Sequence, residues 1–151
     1  MEALLPEWMP NIHPLIIHFP IALWAVALLF DVVFVIKKSA WTRNGAMSLY
    51  ALAAVSAFTA YLSGDQAIDM VSVPFQGEVT ASQHSDWGHY TLYFFAGYAV
   101  LRGFLYWKSL DTKKLVAIGL LILGLVGMGM VAKAADLGGK LVYKYGVGTK
   151  K

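Results

Sequence analysis

Four histidines are the side chains here best suited to hold something, and they come in two pairs of equal spacing: His13 with His18, and His84 with His89. Imidazole ligates copper, zinc and iron, and it is the side chain whose charge changes near neutral pH. Each pair stands at the start of a long apolar run. An ionisable group in a membrane segment is costly, which makes it a functional candidate with a partner to be found. Residues five apart on a straight helix are turned by about 140° and separated by roughly 7.5 Å along the axis, so one small ion held by both members of a pair is disfavoured. Pro14 and Pro20 permit a kink that loosens this restriction. The spacing favours two tiers, His18 facing His89 as the first expected axial pair, and His13 facing His84 about a turn and a half further out as a second pair or a contact to a cofactor edge. Paired histidines projecting from two helices can grip a b-type haem from both faces.

The elements that must carry these histidines are membrane helices. The chain is 58% apolar and 14% charged, with a mean hydropathy of +0.60, which is foreign to a soluble domain. Four apolar stretches, about 14–36, 45–63, 87–107 and 115–135, each approach the roughly 20 residues that a helical span requires. The fold class expected is therefore all-α, a four-helix transmembrane bundle. The absence of cysteine excludes disulfides, thiolate metal sites and covalently attached haem from this chain's own residues. The net charge of +3 does not point to nucleic acid, because the basic residues sit beside apolar runs or in the C-terminal tail rather than on a soluble face. Glu2 and Glu7 replace the basic start of a secretory signal, so cleavage of the first helix is not expected.

Lys37, Lys38 and Arg43 follow the first span, and Lys108, Lys113 and Lys114 follow the third, which places both connections on the cytoplasmic side. Asp65, Asp69, Glu78 and Asp86 lie between the second and third spans, on the opposite side with both termini. Lys140, Lys144, Lys150 and Lys151 in the tail pull mildly the other way. Trp8 and Trp87 would mark the outer interface, and Trp41 and Trp107 the inner one. All four histidines then lie on the outer side.

The two halves repeat. An offset of 71 residues takes His13 to His84, His18 to His89, Lys37 to Lys108, Arg43 to Lys114 and Asp65 to Asp136. It also takes Asp31 to Arg102, a charge swap at equal depth. This reads as two helix pairs, about 11–66 and 82–137, related by a two-fold axis along the membrane normal, followed by a tail at 138–151. Asp31 and Arg102 should form an ion pair, since either charge alone near mid-membrane costs about 2.5–3.5 kcal/mol on insertion scales.

Phe19, Trp24, Tyr90, Tyr93, Phe94 and Phe95 would wall a flat cofactor at the inner tier, with Ala22, Ala25, Ala96 and Gly97 leaving room. Asp65 and Asp136, read as ending the second and fourth helices, could each orient a ligating histidine from behind. Ser63-Gly64-Asp65 reads as a helix stop. Residues 66–83 read as a polar loop, long enough for a lid or docking surface, and the tail as an interfacial segment or short strand. Gly119, Gly124, Gly127 and Gly129 read as close helix packing. Three readings of the histidines stay open: one or two haem b groups, a copper, zinc or iron site that adds Asp65 or Asp136, and a cofactor-free role in an anchor subunit of a respiratory complex.

HPLIIHFPIAL near the start, SGD in the middle and GGKLVYKYGVG near the end resemble the bacterial membrane family catalogued as domain of unknown function 2231. The likeness spans nearly the whole chain, at His13, Pro14, His18, Phe19 and Pro20 and again at Gly138, Gly139, Leu141, Val142, Tyr143, Gly146 and Gly148. The resemblance implies a four-helix integral membrane protein whose relatives look to be joined to, or encoded beside, Rieske or c-type cytochrome domains. It favours electron transfer without assigning a ligand. On that reading the lipid bilayer, a quinol, such a cytochrome partner, a second copy of the chain or a larger complex are the expected associates.

Overall fold

Backbone N–H and C=O groups cannot be left unpaired in hydrocarbon, and a chain this apolar meets the requirement with helices. The computed structural model describes residues 11–149. Glu2, Glu7, Trp8, Lys150 and Lys151, on which parts of the signal, interface and tail readings rest, lie outside the described residues. A short helix α1 (His13–Ile16) leads into α2 (His18–Lys37), followed by α3 (Ala40–Ile68), α4 (Glu78–Trp107) and α5 (Lys114–Tyr143), with 3₁₀ turns at Phe75–Gly77 and Leu110–Thr112. Among the described residues there is no strand. Each long helix packs on the next, and α5 closes the ring against α2.

Three segments, His13–Lys37, Ala40–Ile68 and Lys114–Tyr143, are long and apolar enough to cross a membrane. Helix α4, the third of the expected spans, falls short of that apolarity because His84, His89, its tyrosines and Arg102 dilute it. It is nevertheless 30 residues long and packs between α3 and α5, so it shares their depth. From Trp87 to Trp107 it rises about 30 Å, the thickness of the hydrocarbon layer.

Several boundaries differ from those expected. Helices α3 and α4 run on beyond the apolar stretches, to Ile68 and from Glu78, so the supposed loop at 66–83 shrinks to a connection at 69–77. Gly64 does not stop α3. Helix α5 also continues through the glycine pair to Tyr143, which removes the short-strand reading of the tail. The overhanging turns are stabilised by a satellite core of Ala81, Leu141 and Val147, against which Val71, Val73 and Tyr145 pack. The chain leaves α5 through Gly146 and Gly148, with φ of 69° and 74°, a region where a Cβ is penalised. Pro20 cannot donate a helical hydrogen bond, and α1 and α2 are separated only at Ile17, whose backbone stays helical at φ −59° and ψ −23°.

At the lysine end, Lys38 and Ser109 both adopt left-handed backbone, φ 52° and 53°. Arg43 donates two hydrogen bonds of 2.8 Å to the buried Asp111 carboxylate and a third, also 2.8 Å, to the Tyr106 carbonyl. This fork ties one hairpin turn to the other.

The centre is aromatic. Trp24 is fully buried, stacks on Phe95 with ring centres 3.6 Å apart, meets Tyr50 edge-on at 4.6 Å, and donates a 2.8 Å hydrogen bond to the Gly124 carbonyl. Two glycines of α5 make this possible. A Cβ at Gly127 would lie 2.5 Å from the Trp24 ring, and one at Gly124 would lie 2.7 Å from Leu28 and from the Tyr50 oxygen. Gly119 and Gly129, by contrast, face open space.

Candidate functional site

The structure brings His13 and His84 together at one end of the bundle. Their ring centres are 6.5 Å apart, with planes inclined at 77°. Helix α1 presents His13 beside α3, where its Nδ1 lies 2.9 Å from Ser63 Oγ. The Ser63 hydroxyl spends its one proton on the Ala60 carbonyl, at 2.8 Å. It can therefore only accept from the ring, and His13 carries its proton on Nδ1. Helix α4 presents His84 beside α5, where Nδ1 lies 2.9 Å from the Ala134 carbonyl. A carbonyl has no proton to give, so His84 is also the Nδ1–H tautomer. These tautomers follow from the hydrogen-bond network. Both rings keep Nε2 as an acceptor lone pair.

Glycine gives each ring its seat. A Cβ at Gly64 would lie 2.9 Å from Cε1 of His13, and a Cβ at Gly138 would lie 3.0 Å from Cε1 of His84. Gly64 is thus kept free of a side chain by the histidine laid across it, inside a helix that continues. Gly64→Ala should displace His13 and leave His84 in place. Ring ¹⁵N NMR checks this: both histidines should show the Nδ1–H pattern in the parent protein, and only the His13 signals should move in the variant.

His18 and His89 do not meet. His18 is exposed on α2, whereas the His89 ring packs edge-on against Tyr61 of α3 at 4.8 Å and beside Tyr93 at 6.4 Å. Its Nδ1–H goes to the Ser85 carbonyl at 2.9 Å. The expected inner slot is also filled. Trp24, Phe94 and Phe95 pack in or against the core, and Phe19, Tyr90 and Tyr93 are exposed on the outside of the bundle.

Asp65 is exposed on α3. Asp136 pairs with Lys140 one turn away, at 2.6 Å, with both side chains about half exposed. Neither ends its helix, and the positions behind the histidines belong to Ser63 and Ala134 instead. Those two residues are also 71 apart, so the offset that relates the histidines would have found them as a pair. The carbonyl of Ala134 leaves no other mark on the sequence. Among the described residues, no group of three or more His, Asp or Glu side chains is placed to share a metal ion.

At the other end of α2 and α4, Arg102 meets Asp31, with hydrogen bonds of 2.9 and 2.5 Å. Arg102 also donates to Tyr98 Oη at 3.0 Å, and Tyr98 in turn donates to the Leu120 carbonyl at 3.0 Å. Both charged residues are buried. Tyr50 Oη and Arg102 Nε have no hydrogen-bond partner. The 18 residues from His13 to Asp31 place this cluster about 27 Å from the histidine pair along the axis.

A family model described as a predicted membrane protein, domain of unknown function 2231, matches residues 9–151. No curated protein and no solved structure matches the chain.

Proposed function

The chain belongs to domain of unknown function 2231, a family of predicted membrane proteins, and for it we propose a membrane-embedded electron-transfer module in which His13 and His84 would hold a b-type haem. The observation that carries this reading is the pair of Nε2 lone pairs, both freed by Nδ1 hydrogen bonds, on rings 6.5 Å apart. Two imidazoles that shared one metal, with metal–nitrogen bonds of about 2 Å, would have ring centres roughly 6 Å apart.

The donor set favours haem over a bare ion. Zinc asks for four protein ligands or three and water, and non-haem iron for two histidines and a carboxylate. Here two histidines stand together with no third ligating side chain among the described residues, a donor set that suits iron already held by four porphyrin nitrogens. Bound haem would supply a one-electron carrier. The chain's own part is orientation: Ser63 and Ala134 hold the two rings and raise the basicity of Nε2, while Gly64 and Gly138 give the rings space.

The proposal extends to the histidine end facing outward from a bacterial inner membrane, with a quinol in the bilayer as donor and a Rieske or c-type cytochrome domain as acceptor. It also takes the two helix pairs as repeats. In support, His13 and His84, Trp24 and Phe95, Asp31 and Arg102, Ser63 and Ala134, and Lys38 and Ser109 are all 71 residues apart. The first three pairs touch across the centre, and the last shares one unusual backbone conformation.

The test is an optical spectrum of protein purified from haem-replete cells. Sharp reduced-state bands are expected in the parent and in His18→Ala, and should be lost in His13→Ala and in His84→Ala. Full retention of the bands in both of the latter would remove the pair as ligands.

A further inference from the structure

His89 has no place in the haem site, yet it too is a histidine with its proton committed. Its Nδ1–H is held by the Ser85 carbonyl, so Nε2 is an acceptor, and no donor among the described residues meets it. On α4 it lies two residues inward of Trp87, about 3 Å below the interface that the tryptophan marks. This is the depth at which an amphiphile keeps its polar head.

The surface below His89 is shaped for such a molecule's tail. His89, Tyr93, Gly97 and Leu101 are spaced by four residues and form one stripe down α4. The lower part of the stripe borders a groove of about 250 Å³ between α4 and α5, lined by Tyr93, Phe94, Gly97, Tyr98, Leu101 and Leu123. Gly97 is what leaves it open, since a Cβ there would meet nothing within 4 Å. Above the groove, the Tyr61 ring lies edge-on to the imidazole, and Tyr93 is 68% exposed.

We infer that this stripe binds an isoprenoid quinol, with its head hydroxyl donating to His89 Nε2, its ring against Tyr61 and Tyr93, and its tail along the groove beside Gly97. The occupant must bring a hydroxyl donor on a flat ring at headgroup depth, with an apolar tail behind it. A phosphatidylcholine headgroup fails this requirement, because it has no hydrogen-bond donor and its phosphate oxygens would set one acceptor against another. The inference rests on the electron-transfer reading for its purpose, but its geometry involves none of the haem ligands.

The experiment titrates decylbenzoquinol, and separately its oxidised quinone, into the protein in phosphatidylcholine nanodiscs and follows binding by calorimetry. Saturable binding is expected, about tenfold tighter for the quinol, because the quinone has only acceptors to offer Nε2. His89→Phe should erase the preference for the reduced form. Gly97→Leu, whose side chain has space and so should not disturb the fold, should weaken both forms by filling the groove. His13→Ala should leave the titration unchanged, which separates failure of the haem reading from failure of this one. Equal, unsaturable partitioning into parent, His89→Phe and Gly97→Leu discs would overturn the inference.

Discussion

Arg102→Met alone should cost the folded bundle about 3–5 kcal/mol, because it strands the Asp31 carboxylate in the interior without its partner. Asp31 is 3% exposed and Arg102 is 2% exposed, and the guanidinium also bonds Tyr98 and lies 4.8 Å from the centre of the Tyr50 ring. The loss therefore reaches three helices. Adding Asp31→Leu to Arg102→Met should recover most of the deficit, since a buried ion pair and an apolar pair of similar volume are often close in stability. Unfolding curves of the parent, both single variants and the double variant in one detergent give the coupling between the two sites. If Arg102→Met were as stable as the parent, the pair would hold nothing together.

Trp24→Ala should be about as damaging, at roughly 3–5 kcal/mol for a large aromatic removed from a packed core. The residue touches all three neighbouring helices: it stacks on Phe95 of α4, meets Tyr50 of α3, and bonds the Gly124 carbonyl of α5. Trp24→Phe keeps the stack but loses the indole donor, so it should fall between the parent and the alanine variant. Gly127→Val should reproduce much of the loss from the other side, because its first carbon already intrudes on the indole. The same unfolding assay decides. A Trp24→Ala protein within about 0.5 kcal/mol of the parent, the scale of an ordinary surface change, would mean that the core can close around the gap.

Helices and their order were readable because apolar runs of span length leave few alternatives in a membrane. The offset of 71 residues brought Asp31 to Arg102 from the pattern of charges alone. What the sequence hid is local geometry. Counting turns along a helix set His18 to face His89 as the inner tier, but His18 lies exposed on α2 while the His89 ring is taken up by Tyr61 of α3, and neither neighbour is visible in the spacing. Gly64 looked like a helix stop because glycine so often is one, whereas here it clears space for an imidazole. Asp65 and Asp136 looked like the groups behind the histidines because carboxylates often are. A serine hydroxyl and a main-chain oxygen take that part, and every residue carries a main-chain oxygen. The long connection expected at 66–83 is only 69–77, because polarity there marks where the helices leave the lipid rather than where they end.

The stack of Trp24 on Phe95, with Tyr50 and Tyr98 against it, also limits what could cross the membrane through this chain. It plugs the central axis between the histidine end and the buried charges with close-packed rings. A hydrated ion would find no permeation path between those rings. A single-channel recording of the parent protein should accordingly stay at baseline.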